Sequence, residues 1–358
     1  MLAAANTNNP HQHPLMRLAH CLCLTWLLAM PAHAGQLLGE QRFDRYSPLV
    51  AADEFSRRMF SPTTHDRLQR FQQHIGQHAV EHTVDLAEER FDVFLPSAKP
   101  QAGYGVIVFV SPIERWPLTR DWKKVLDREG ILWVSALRSG NAQNVYERRI
   151  PLALHALENV RTRYPVDPRK VYISGFSGGS RTAMRIIASY ADVFTGAILI
   201  GGAKVMGEED FAPPPAELMQ TLQTRIQVVY STGKHDAPNL RLDQRSYDAL
   251  SGRCVAGASR IRIPNVSHEV PDRKTLERVL RRLAEPIAPA ALEAQQRCMQ
   301  ALQLRIDADL AAAEQAFAAG DKARAGELLG AADLAWGGMA SERLVRLARE
   351  LAPGFDDR

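Results

Sequence analysis

Cysteine is scarce in this chain. Its 358 residues include four, too few for the disulfide framework on which small secreted domains depend. An excess of one charge is missing too. Lys and Arg number 44 against 40 Asp and Glu, for a formal net charge of +4, and no basic block stands out. That excludes a nucleic-acid-binding arm and leaves only weak attraction for acidic partners. No apolar run is long enough to cross a membrane. The most apolar stretch, Leu18 to Met30, has 13 residues, short of the roughly 20 a spanning helix needs, so no stable membrane anchor is expected. A P-loop, a dinucleotide fingerprint and an H-E-x-x-H pair are also lacking. The histidines His65, His74, His78 and His82 include an i, i+4 pair at 74/78, but no cysteine context supports a zinc site there. Neither a cofactor nor a metal is expected.

What remains is ordinary globular material, with 46% hydrophobic and 23% charged residues. These proportions exclude a largely disordered, collagen-like or multi-span membrane chain. The N-terminus reads as an address. Arg17 precedes the apolar stretch, and Pro31-Ala32-His33-Ala34 follows it with a small-x-small cleavage pattern. Basic end, apolar segment and cleavage site together describe a secretory signal peptide at 1–34, so a secreted or periplasmic protein cut near Ala34 is expected. Cleavage removes Cys21 and Cys23 and leaves Cys254 and Cys298 in an oxidising compartment. They form either one internal bridge or two buried thiols, depending on a Cα separation that sequence does not supply.

Three further regions follow. Residues 35–84 are rich in Gln, Arg and His and read as an extension of helices and loops. From about 85 to 285, strand and helix patterns alternate. Phe91 to Leu95, Tyr104 to Val110, Ile131 to Ala136, Lys170 to Ser174, Gly196 to Ile200, Arg225 to Ser231 and Arg260 to Ile263 read as strands. The run YGVIVFV is continuously apolar, as in a strand buried on both faces. Tyr146 to Tyr164 reads as an amphipathic helix. Helices also fit 119–128, 178–190, 240–250 and 272–283. The pattern predicts an α/β fold, a doubly wound and mostly parallel sheet. In 286–358, Ala, Leu, Glu, Gln and Arg favour helix. Ala311 to Leu334 reads as helix–turn–helix, within which Ala313 to Leu329 looks like one tetratricopeptide-type hairpin, and a single such repeat builds no solenoid. A helical cap on the main domain is expected.

The strongest chemical signal is Gly175-Phe176-Ser177-Gly178-Gly179, a G-x-S-x-G pattern with a strand before it and a helix after it. That context describes a nucleophile elbow, in which Ser177 stands exposed on a sharp strand-to-helix turn and Gly178 offers its amide to an oxyanion. A serine hydroxyl needs a base, and the base needs an acid. On this architecture the acid precedes the histidine in the chain. His268, after the last strand, fits the base. Asp236, directly after the RIQVVYS strand, fits the acid. Asp243 and Asp248 are rivals read as helical surface charges, Asp272 reads as a helix N-cap, and His235 competes for the base role. Arg138 and Asn141, on the loop after ILWVSA, are candidate substrate contacts beside the site, as is Phe176 in the elbow itself.

These residues, in this order, resemble the α/β-hydrolase superfamily, and most of all its secreted esterases of the polyhydroxybutyrate-depolymerase and feruloyl-esterase-like branch. The likeness covers roughly 85–285 and rests on VYISGFSGG, TGKHD and VSHEVP. It implies cleavage of a small-molecule or polymeric carboxylic ester through an acyl-enzyme. A peptidase or thioesterase would use the same triad. A non-catalytic binding or scaffold protein on the same fold is the alternative of another class. One departure stands out. Relatives usually carry His-Gly after the strand that supplies the second oxyanion donor, and here that strand ends Val110-Ser111-Pro112-Ile113. Pro112 has no N–H, so either Ile113 or a neighbour donates or the oxyanion hole is weaker.

Overall fold

The computed structural model describes residues 35–76 and 81–352. The expected signal segment, 1–34, and His78 lie outside them. The described chain opens with strand β1 (Gln36–Gln41) and helices α1 (Ala52–Met59) and α2 (Pro62–Ile75). Next come β2 (Phe91–Leu95), β3 (Tyr104–Val110), α3 (Arg120–Glu129), β4 (Ile131–Ala136), α4 (Ile150–Arg163), β5 (Val166–Phe176), α5 (Gly178–Ser189) and β6 (Gly196–Ile200). The alternation continues through α6 (Ala216–Thr224), β7 (Gln227–Gly233), α7 (Ala237–Ser251), β8 (Ala258–Ile263) and α8 (Arg273–Ala284). Helices α9 (Pro289–Ala318), α10 (Lys322–Trp336) and α11 (Ser341–Leu351) close it.

All eight strands join one sheet in the order β1-β2-β4-β3-β5-β6-β7-β8. β2 runs antiparallel to β1 and to β4. The other neighbours are parallel. Strand alternation sorts the apolar residues onto two faces. Val106, Val108 and Val110 of β3 join a core with α4 and α5. Ile107 and Phe109 join a second core with α3 and α8. With helices on both faces the central strands lie wholly buried, which is why they read as unbroken apolar runs. Chain order reverses at β3, which lies between β4 and β5. In open α/β sheets such a switch point leaves a crevice at the carboxyl ends of the strands.

The structure corrects three expectations. Residues 35–84 contribute a strand as well as helices, since β1 pairs with β2 at the sheet edge. Its burial is low throughout, so no apolar alternation marks it in the sequence. The helix expected from Tyr146 starts as a wide π-turn, Val145–Arg149, and becomes α-helical only at Ile150. The tail helix begins at Pro289 and runs 30 residues, well ahead of Ala311.

The tail packs as a cap. Leu302, Ile306, Leu310, Leu329, Trp336, Leu344 and Leu347 form its own core. It is tied to the sheet unit by the Cys254–Cys298 disulfide, with Cα atoms 5.6 Å apart. Asp333 of α10 accepts a hydrogen bond from Thr63 Oγ1 of α2 at 2.6 Å. No helix among the described residues is long and apolar enough to cross a membrane.

Candidate active site

The loops leaving the carboxyl ends of the strands carry the candidate residues. The elbow follows β5. Ser177 has φ 54° and ψ −122°, a region non-glycine residues rarely occupy and one that costs about 1–3 kcal/mol. The turn persists because it is held on both sides. Ser177 N donates to Ile200 O at 2.8 Å, and Ser180 N donates to Ser177 O at 2.9 Å. Two glycines are obligatory by space. A Cβ on Gly175 would collide with the Gly179 carbonyl, and one on Gly179 with the Val110 carbonyl of β3. The α5 N-terminus therefore lies directly on the end of β3. The Gly178 amide, at the start of α5, has no intramolecular partner among the described residues.

Two other loops bring the acid and the imidazole together. His235 N donates to Val266 O at 3.0 Å, and Lys234 N to Ile263 O at 2.9 Å, so the loops after β7 and β8 run side by side. His268 Nδ1 thereby lies 2.6 Å from Asp236 Oδ2. Asn239, one turn into α7, donates Nδ2 to both Asp236 oxygens at 2.9 Å. Burial pushes the Asp236 carboxyl upward. Hydrogen bonds from His268 and Asn239 outweigh it and hold the group below its ordinary value. An ionised Asp236 takes the Nδ1 proton of His268 as a hydrogen bond and leaves Nε2 as the acceptor nitrogen. The imidazole lies on the ring of Phe176, with centroids 4.6 Å apart, and Phe176 also meets Trp116 at 5.5 Å. His268 is thus held beside the residue preceding Ser177. Among the described residues no hydrogen bond joins it to the Ser177 hydroxyl.

The rivals occupy other places. Asp243 is buried, not a surface charge. It accepts from Ala203 N at 2.9 Å and from Thr232 Oγ1. Burial raises its carboxyl to about 6. Asp272 caps α8 by accepting from Thr275 N at 2.8 Å. Asp248 accepts from Gln244 at 2.7 Å. The His235 side chain is exposed.

Two expectations at the site are corrected. The Ile113 amide is not free for an oxyanion, because it donates to Ser111 Oγ at 3.0 Å within its own turn. Arg138 points away from the elbow. Its Nη2 donates to Glu88 O at 2.6 Å and lies 3.6 Å from the Glu89 carboxylate. Asn141, by contrast, is at the elbow, since a Cβ on Gly178 would overlap its carboxamide.

Sequence reasoning missed two residues. Asn239 could have been suspected as an amide one helical turn after the acid. Arg149 gave no signal. It is buried on the π-turn and donates to three carbonyls: Ser139 at 3.0 Å, Ser111 at 2.9 Å and Gly178 at 3.4 Å. Burial lowers its guanidinium to about 10. Among the described residues no set of His, Cys, Asp or Glu side chains gathers in a way that would hold a metal ion.

An eight-stranded sheet with β2 antiparallel, a strained serine elbow after β5 and a paired acid and histidine after β7 and β8 define the α/β-hydrolase fold. No family model matches the chain, and no curated protein matches it. Similar solved structures include the fluorophosphonate-binding serine hydrolase F of Staphylococcus aureus, 12% identical, covering 71% of this chain and 100% of that one, with a TM-score of 0.46. A poly(3-hydroxybutyrate) depolymerase of Bordetella parapertussis is 17% identical over 58% of this chain and 88% of that one, with a TM-score of 0.43. A Bacteroides ovatus protein assigned as a dipeptidyl aminopeptidase IV is 15% identical over 55% of this chain, with a TM-score of 0.39, and this chain spans only 33% of its length.

Proposed function

We propose that this chain is a secreted serine hydrolase that cleaves a carboxylic ester. The observation that carries the reading is the 2.6 Å Asp236–His268 pair packed against the elbow that bears Ser177. In the proposed reaction His268 Nε2 takes the Ser177 proton as Oγ attacks the acyl carbon. Asp236 steadies the imidazolium that forms. The tetrahedral oxyanion collapses, the alcohol leaves with the proton from His268, and an acyl-Ser177 ester remains. A water deprotonated by the same imidazole then hydrolyses it. The bridge between Cys254 and Cys298 supports an oxidising compartment, in keeping with a signal segment at 1–34.

A fluorophosphonate probe tests the reading, because it reacts only with an activated serine. Labelling of the wild type and its loss in Ser177→Ala are expected. An unlabelled wild type that also leaves a panel of p-nitrophenyl esters intact sinks the hydrolase reading and favours a binding role on the same fold. A graded acyl panel, from acetate to long chains, then ranks the substrate class. Thioester and peptide substrates in the same panel separate the ester reading from its closest relatives.

A further inference from the structure

The oxyanion site lacks its usual second donor. Pro112 has no N–H, and the Ile113 amide is engaged by Ser111 Oγ. Neither Pro112 nor Ile113, the second and third residues after β3, therefore offers a free amide. Gly178 alone would have to hold the developing charge, and losing one donor of such a pair typically slows acyl transfer about 100-fold or more.

The geometry points to Asn141 as the second donor, a side-chain carboxamide from the loop after β4 in place of a backbone amide after β3. The assignment rests on the hydrolase reading of Ser177 and names the residue that completes its site. A Cβ on Gly178 would lie 2.9 Å from Asn141 Nδ2 and would overlap Oδ1. The carboxamide thus covers the residue whose own amide is the first donor. It is exposed, and no hydrogen bond to another described residue holds it. Its terminal torsion is broad and two-fold, so a half-turn that sets Nδ2 toward the oxyanion breaks no bond.

The backbone beneath Asn141 is fixed, as a donor of this kind requires. Asn141 N donates to Pro112 O at 2.9 Å, and Arg138 N to Glu114 O at 2.7 Å, so the loops after β3 and β4 are laced together. Arg149 clamps them from below. Its three acceptors are the carbonyls of Ser111, Ser139 and Gly178, one from each of the segments that meet at Gly178. Arg149 is a positioning residue: it sets the distance between Asn141 and Gly178 and touches no reacting atom. Gly178 has to be glycine for the same reason, because any side chain would displace the carboxamide.

The test uses the full-length secreted protein and three measurements: kcat on p-nitrophenyl butyrate, inhibition by phenylboronic acid as a tetrahedral adduct mimic, and the melting temperature. Asn141→Ala and the near-isosteric Asn141→Asp both remove the N–H donor. Both are expected to lower kcat about 100-fold, to weaken boronate inhibition by a comparable factor, and to leave the melting temperature and KM nearly unchanged. Losses of tenfold or more in kcat and in boronate affinity, in both variants, support the assignment. If the wild type is active and either variant keeps kcat or boronate affinity within tenfold, Asn141 is not the donor and the hydrolase reading stands without it. If the wild type is inert and unlabelled, both fall together.

Discussion

His268 Nδ1 sits 2.6 Å from Asp236 Oδ2 although the two belong to loops that follow different strands. Asn239 already donates to both oxygens of that carboxylate. In Asp236→Asn one acceptor oxygen becomes an NH2 that faces other donors. The imidazole then loses the partner that keeps its proton on Nδ1. Ester hydrolysis is expected to fall about 10^3- to 10^4-fold in kcat, with KM and melting temperature little changed. Steady-state kinetics on a p-nitrophenyl ester decides it, and a loss under tenfold would contradict the assigned role.

Arg149 should matter for stability as well as for catalysis. Arg149→Met keeps the stem but abandons three carbonyls that it now satisfies. Each unpaired buried acceptor costs about 1–3 kcal/mol, offset where water enters. We expect a loss of about 2–4 kcal/mol in urea unfolding, against less than about 1 kcal/mol for an exposed arginine such as Arg324.

His155 sets an acid limit on the fold. It is fully buried, and Nδ1 accepts from Ser47 N at 2.9 Å. Burial, with a smaller push from His82, lowers its imidazole to about 4. The unfolded chain takes up a proton near pH 6.5 that the folded chain refuses until about pH 4. The stability supplied by the neutral form is therefore intact above pH 6.5 and lost as pH falls toward 4, by about 3 kcal/mol in all. His155→Asn keeps an acceptor and removes the titration. It should start less stable at neutral pH and lose less between pH 7 and 4.5. The buried Asp243 carboxyl, raised to about 6, acts in the opposite direction, but equally in both proteins. Parallel pH profiles would exclude the role of His155.

The disulfide closes a loop across 44 positions. Chain entropy assigns such a bridge about 4 kcal/mol, with measured bridges commonly giving 2–4. Cys298→Ser, or reduction, should lower thermal stability accordingly and free α9 first. Hydrogen exchange would register this as faster exchange in α9 and α10 than in β5 and β6. Uniform exchange would mean that the Leu302–Trp336 core alone holds the tail.

The central strands could be read from the sequence because burial on both faces leaves mostly apolar residues in β3, β4 and β6. The elbow was legible because Gly175 and Gly179 are dictated by close backbone approach, which no other residue permits. Strand β1 could not be read, since an edge strand with only Leu38 and Gln41 half-buried carries no alternation. Arg149 was invisible for a different reason: a buried arginine looks in sequence like any solvated one. Ile113 was expected to donate although a serine two residues earlier can take its amide in a local turn, as Ser111 does.

The sequence by itself determined the order of the candidate residues along the chain: serine on a strand-to-helix turn, carboxylate after the next strand but one, histidine after the last. Turn stereochemistry and strand hydrophobicity are local, and local rules were enough for them. Tertiary structure alone decided which loops lie side by side. Hydrogen bonds between the loops after β3 and β4, and between those after β7 and β8, join residues far apart in the chain. They bring Asn141 over Gly178 and His268 to Asp236, and they turn Arg138 away.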